Sequence, residues 1–181
     1  GLVVFPTHRI VRDLGDFDES AILAACEQYF TVRAIDTADA QKALDDAAER
    51  GEKALGLYTG TSKLLTLKDA AVMNGLLPEM SGAYKNLDVS ILHTLVLEKL
   101  SGIDKENMAN HKHLTYTRDA AEAMAAVDNG NATGALIINP TRVDDIPAVA
   151  GAGEKMPQKS TYFYPTLPPG PPGVTLLTSA C

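Results

Sequence analysis

Two polar stretches near opposite ends of the chain carry residue types that hold and move anionic groups. The first is Pro6-Thr7-His8-Arg9, directly after the apolar run Leu2-Val3-Val4-Phe5. Residues at the C-terminal ends of strands commonly line ligand crevices in α/β sheets. A hydroxyl, an imidazole and a guanidinium in succession suit a phosphate or carboxylate, with Arg9 as a bidentate fork and His8 as the acid or base near neutral pH. The bland alternative, a loop histidine and a solvated arginine, stays open. The second stretch is Gly153-Glu154-Lys155-Met156-Pro157-Gln158-Lys159-Ser160-Thr161-Tyr162-Phe163-Tyr164-Pro165. Lys159, Ser160 and Thr161 supply a cation and two hydroxyls, the donor set of an anion cradle. Tyr162 and Tyr164 alternate with Phe163 and would share one face of a strand. Plain aromatic packing with an exposed Lys159 is the competing account.

Other residues offer less. His93 lies beside the apolar stripe of a helix, where a satisfied, half-buried histidine is the simpler reading. Asp88 and Glu98 read as cap and surface charge, and Asp144-Asp145 as a helix start. His111 and His113 have the spacing of a metal pair but no third ligand nearby, so no metal site is expected. Walker, dinucleotide-glycine, HExxH, paired CxxC and Gly-x-Ser-x-Gly patterns are absent from the sequence.

The elements that must position these groups are helices interleaved with short strands. Residues 2–5 read as a buried strand ended by Pro6. Residues 18–29 read as a helix with Asp18 as cap and Ile22, Leu23 and Cys26 at helical spacing. Two segments then run in parallel. Thr37 opens a helix that Gly51 ends, before the strand 54–58; Thr117 opens a helix that Gly130 ends, before the strand 135–138. Each has a threonine cap, an early aspartate and a closing glycine suited to a left-handed turn. With 32–35 and 114–116 as leading strands, both are strand–helix–strand units. Duplication and coincidental cap chemistry both explain them. Residues 63–67 form a strand paired with 55–58 across Thr59-Gly60-Thr61-Ser62, and 87–100 form an amphipathic helix capped by Asn86 or Asp88 and ended by Gly102. The expected fold class is α/β (or α+β): a layered mixed sheet with helices packed on it. Residues 1–165 read as a single domain, a fragment of a longer protein, and 166–181 as a Pro/Gly-rich extended tail.

Composition narrows the function classes. Hydrophobic residues at 45% are enough to bury a core. A net charge of −7 argues against a nucleic-acid-binding surface over the whole domain. There is no apolar run of membrane-spanning length and no signal-peptide pattern, so the expected location is cytoplasmic. Cys26 falls within an apolar helical run and reads as a buried free thiol; Cys181 has no evident partner.

Three motifs in order carry a family resemblance: residues 1–9, Leu87-Asp88-Val89-Ser90-Ile91-Leu92-His93, and the 153–165 stretch. The chain resembles the domain of unknown function 1015 family of bacterial and archaeal cytosolic proteins. The resemblance places these segments in the C-terminal half of proteins about twice as long. It also implies an N-terminal half similar to the ParB/sulfiredoxin-like superfamily, which includes nucleotide-using enzymes, free-serine kinases among them. That half's Asp-Gly-His-His-Arg-type motif is missing here, and its catalytic role does not carry over. What does carry over is Thr7, His8, Arg9, Asp88, His93, Glu154, Pro157, Lys159, Ser160, Thr161, Tyr162 and Tyr164. After Pro165 the family pattern has a lysine, where this chain has Thr166.

These observations lead to two expectations. The first is part of a cytosolic small-molecule enzyme that binds a phosphate-bearing ligand, with kinase-like phosphoryl transfer, a nucleotide as the candidate cofactor, and the N-terminal half of the same protein as partner. His8 would be catalytic; Thr7, Arg9, Lys159, Ser160 and Thr161 anion-binding; Asp88, His93, Glu154, Tyr162 and Tyr164 supporting. The alternative is a non-catalytic nucleotide, nucleic-acid or protein binding module related to ParB-like proteins.

Overall fold

The protein is described from a computed structural model covering residues 2–12, 18–103, 106, 113–157 and 163–165. Six strands form one sheet. They are β2 (His8–Val11), β3 (Phe30–Ile35), β4 (Ala54–Tyr58), β5 (Ser62–Leu67), β6 (Leu114–Thr117) and β7 (Gly134–Ile137), in the spatial order β3-β5-β4-β7-β2-β6. Two further strands, β1 (Leu2–Val4) and β8 (Phe163–Pro165), pair with each other as a separate ribbon. The expected layered sheet carrying helices is present. All of its ladders among the described residues are antiparallel, so the mixture expected from the sequence resolves into antiparallel pairing throughout.

That outcome follows from how the two strand–helix–strand units are filled. In the first, β3 and β4 run in the same direction but are separated by β5, which pairs antiparallel with both. In the second, β6 and β7 are separated in the same way by β2. Each crossover helix, α2 (Ala40–Glu49) and α6 (Ala120–Asp128), therefore spans a strand gap, and the two units meet along β4·β7. At that seam Gly56 faces Ile137, and a Cβ built on it would lie 3.2 Å from Ile137 Cβ. The backbones approach too closely there for a side chain on both.

Both sheet faces are covered. α2 and α6 pack on one face through Ala43, Leu44, Ala47 and Ala123, against Ile10, Leu64, Ala135 and Ile137. The opposite face carries α1 (Glu19–Cys26), α3 (Val72–Leu76) and α5, whose first turn Asp88–Ser90 continues as a π-helix over Ile91–Leu100. Leu92, Leu95 and Leu97 of α5 are fully buried against Leu55, Leu65 and Leu136. Each such leucine contributes on the order of 2 kcal/mol of apolar burial. Burial along this π-helical stretch takes in His93 and Leu97 as well as Ile91, Leu92, Leu95 and Val96. Two short helices, α4 (Gly82–Lys85) and α7 (Asp145–Gly151), complete the described structure.

Asp18 caps α1 as expected, accepting from the backbone N–H groups of Ser20 and Ala21. The threonine caps do not form. Thr37 opens a 3₁₀ turn and bonds Ser62 Oγ at 2.8 Å, and α2 starts only at Ala40. Thr117 accepts from the Asp119 N–H, and Asp119 is the cap of α6. Thr37 thus ties its unit to the start of β5, whereas Thr117, at the end of β6, also donates to Glu122 in the first turn of α6. Neither Asn86 nor Asp88 caps α5; Leu87 occupies that position. Gly51, Gly102 and Gly130 take the positive φ values (74°, 71° and 77°) their helix ends require. Cys26 is a buried free thiol, and burial pushes its pKa up to about 11.

Candidate functional site

The Thr7-His8-Arg9 cluster is divided by the sheet. His8 and Arg9 are residues of β2 rather than of a loop after a strand, so their side chains leave on opposite faces. His8 shares the face of Ile10, beneath α2 and α6; Arg9 shares that of Val11, beneath α5. Both are buried, His8 to 2% exposure and Arg9 to 0%. Sequence reading missed this strand because two polar residues interrupt its apolar pattern. The burial of both residues is what turns His8-Arg9-Ile10-Val11 into an interior strand.

Each group is committed within the fold. The backbone N–H of Ile138 donates to His8 Nδ1 at 3.1 Å, so that nitrogen is unprotonated and the neutral ring carries its proton on Nε2. The imidazole closes the β7 side of the ladder just beyond its last pair. Burial, then the Arg9 charge, pull the His8 pKa down to about 4, with Asp119 opposing. Arg9 donates through Nη1 to the Thr7 carbonyl and through Nη2 to His93 Nε2 at 2.8 Å. An arginine only donates, so His93 is also neutral, with its proton on Nδ1. Burial first and Arg9 second lower the His93 pKa to about 3. The Arg9 guanidinium also lies 5.2 Å from the Tyr116 ring centroid, and burial draws its own pKa down to about 10. Arg9, His93 and Tyr116 thus form a polar column that pins α5 to the sheet, a link between two motifs that their spacing gave no reason to join.

The other sequence-selected residues are distributed as follows. Thr7 is half-buried at the start of β2. Glu154 clamps α4: Ser81 donates to its carboxylate through the backbone N–H at 2.9 Å and through Oγ. Lys159, Ser160, Thr161 and Tyr162 lie outside the described residues, and the side chain of Tyr164 does too; the backbone of Tyr164 pairs with Val3. His111, Cys181 and the 166–181 tail also lie outside them. His113 donates through Nδ1 to the Arg12 carbonyl at 3.1 Å. No cluster of three metal-ligating side chains occurs among the described residues, and no helix among them is long and apolar enough to cross a membrane.

Asp88 occupies a setting the sequence did not signal. It faces a cavity of about 420 Å³ bounded by the C-terminal half of α2, by Lys53 and by the loop Asn139–Arg142. Burial raises the pKa of its carboxyl; Lys53 and Arg142 oppose the rise and Asp145 adds to it. Three bonds hold the loop wall to α2: Asn139 Nδ2 to the Leu44 carbonyl at 3.1 Å, Gln41 Nε2 to Asn139 Oδ1 at 3.1 Å and Arg142 Nη2 to the Ala48 carbonyl at 3.4 Å. No short-range spacing announces this cavity, since the sheet assembles it from residues far apart in the chain.

Comparison with known proteins gives a limited picture. The family described as protein of unknown function (DUF1015) matches residues 1–90. That match takes in the first motif and the start of the second, and leaves the 153–165 motif outside. No curated protein matches. Among solved structures, a conserved hypothetical protein from Pyrococcus furiosus superposes with a TM-score of 0.54 at 15% identity, covering 93% of this chain and 59% of that one. A free serine kinase in complex with AMP gives 0.49 at 16% identity, covering 90% and 54%. A point mutant of a free serine kinase in complex with ADP gives 0.47 at 14% identity, with the same coverage. The chain therefore spans between half and three-fifths of the length of these structures, and the likeness to the Pyrococcus furiosus protein is one of fold.

Proposed function

We propose that this chain belongs to a longer cytosolic protein of the DUF1015 type and binds a phosphate-bearing small molecule, nucleotides included, with phosphoryl transfer as its reaction class. The observation that supports the reading is the β1·β8 ladder, in which Val4 pairs with Phe163. Thr7 lies three residues beyond Val4, and Ser160 three residues before Phe163. In an antiparallel pair the chain after Val4 and the chain before Phe163 leave from the same end of the ribbon, so Thr7 and Ser160 each lie within about 10 Å of chain from that pair at ~3.5 Å per residue. That common point of departure supports reading the two anion-suited stretches as parts of one site.

In this reading Thr7, Lys159, Ser160 and Thr161 contact the anion, while Arg9 supplies a fixed positive charge from beneath the sheet. Because the His8 Nδ1 is already taken, any proton transfer by His8 uses Nε2. Positioned cations and donors of this kind stabilise the charge of a phosphoryl group in transfer. The test is isothermal titration of the full chain with phosphate, AMP and ADP at low salt, repeated with Lys159→Ala and Ser160→Ala. Binding that weakens at least tenfold in both variants supports the site. Binding unchanged in both, or absent in the parent protein, removes it.

A further inference from the structure

The cavity beside α5 shows an electrostatic arrangement that the proposed phosphate site leaves unexplained. Asp88 is a mostly buried carboxyl group, and Lys53 and Arg142 act on it across the same space. Ion pairs within 4 Å among the described residues are Lys42–Asp46 and Arg50–Glu52. Asp88 therefore faces Lys53 and Arg142 across the space without an ion-pair contact to either. Of the other acids lining the cavity, Glu52 is held by Arg50, Asp45 accepts from Gln41, Glu49 is exposed, and Asp145 acts on Asp88. The wall bearing Arg142 is tied to two carbonyls of α2, so the charges cannot close the gap by loop collapse. Leu44, Ala48, Ala54 and Leu87 add apolar surface to the lining, beside the polar groups of the loop Asn139–Arg142.

We infer that this cavity binds a small amphoteric molecule, its protonated amine directed to Asp88 and Asp145 and its carboxylate or other anionic group to Lys53 and Arg142. A volume of about 420 Å³ lies within the range of small-ligand sites. A zwitterion complements both poles at once. A simple anion would meet Asp88 and Asp145 unpaired, and a simple amine would meet Lys53 and Arg142. Among the described residues no aromatic side chain lines the cavity to stack a nucleobase, which separates this ligand class from the nucleotides proposed above.

The test is thermal unfolding of the full chain with glycine, β-alanine and γ-aminobutyrate, which space the two charges differently, and with propionate and propylamine as single-charge controls. A zwitterion at a hundredfold excess over its Kd should raise Tm by about 5 °C or more, and neither control should match it. Asp88→Asn and Lys53→Met should each abolish the shift while the free protein still melts cooperatively. If one variant fails to fold, the other decides. No shift with any zwitterion, an equal shift with propionate or propylamine, or a shift retained in a folded variant would each overturn the inference. The probes carry no phosphate, so their failure leaves the phosphate reading standing, and the reverse also holds.

Discussion

Lowering the pH from 7 to 5 should destabilise the fold through two buried histidines. His8 and His93 are held neutral, His8 because its Nδ1 accepts from a backbone N–H and His93 because its Nε2 accepts from Arg9. Their pKa values in the fold are about 4 and about 3, against 6.5 for the free side chain. A depressed histidine contributes its full stabilisation above the unfolded value, and that contribution is lost as pH falls below 6.5, because the unfolded chain takes up the proton first. At pH 5 both folded values still lie below the solution pH, so the unfolded value sets the loss, about 2 kcal/mol per histidine and about 4 kcal/mol together. That is a large share of a typical domain's 5–15 kcal/mol, on general scaling. Asp88 works with the opposite sign: its raised pKa favours the fold as acid increases. Its effect is common to parent and variant, so the comparison isolates the histidine. Urea unfolding at pH 7 and pH 5 should show the loss, and His93→Gln, which keeps an acceptor for Arg9 but cannot titrate, should halve it. An identical pH dependence in parent and His93→Gln would refute the assignment of a neutral, buried His93.

Three further substitutions test local claims by urea unfolding at neutral pH. Asp18→Ala removes the acceptor for the N–H groups of Ser20 and Ala21 and should cost about 1 kcal/mol. Glu154→Ala removes the acceptor for the Ser81 N–H and Oγ and should cost about 2 kcal/mol, with Glu154→Gln recovering part of it. Gly56→Ala places a methyl 3.2 Å from Ile137 Cβ at the junction of the two units and should cost roughly 1–3 kcal/mol.

Local chemistry was legible in the sequence where it acts over a few residues. Asp18, the turn at residues 59–62 and the glycines at 51, 102 and 130 all stand where short-range rules put them. The threonines at 37 and 117 show the limit of those rules. A hydroxyl before a helix serves a cap or a strand end equally well, and only the tertiary partner, Ser62 for Thr37, decides. β2 was hidden because a charged residue and a histidine in an interior strand contradict its hydrophobic pattern. Their burial is offset by partners more than 80 positions away, His93 for Arg9 and the Ile138 amide for His8. The cavity at Asp88 was illegible for a related reason: Lys53, Asp88 and Arg142 belong to three separate segments that only the completed sheet brings together.

The interleaving of β2 between β6 and β7 has a consequence for the order in which the chain assembles. The first unit closes through near neighbours, since β4 and β5 are joined by a tight turn and β3 reaches β5 across α2 and β4. The second unit must wait. Its middle strand is made at the start, yet Arg9 is paired with Tyr116 and Leu136, more than a hundred residues later. Such distant closure is slow, and until it happens a strand bearing an unsheltered arginine and two apolar residues waits with both edges open. During synthesis the half built from β3, β4 and β5 can already be folded while β2, made before them, is still unpaired.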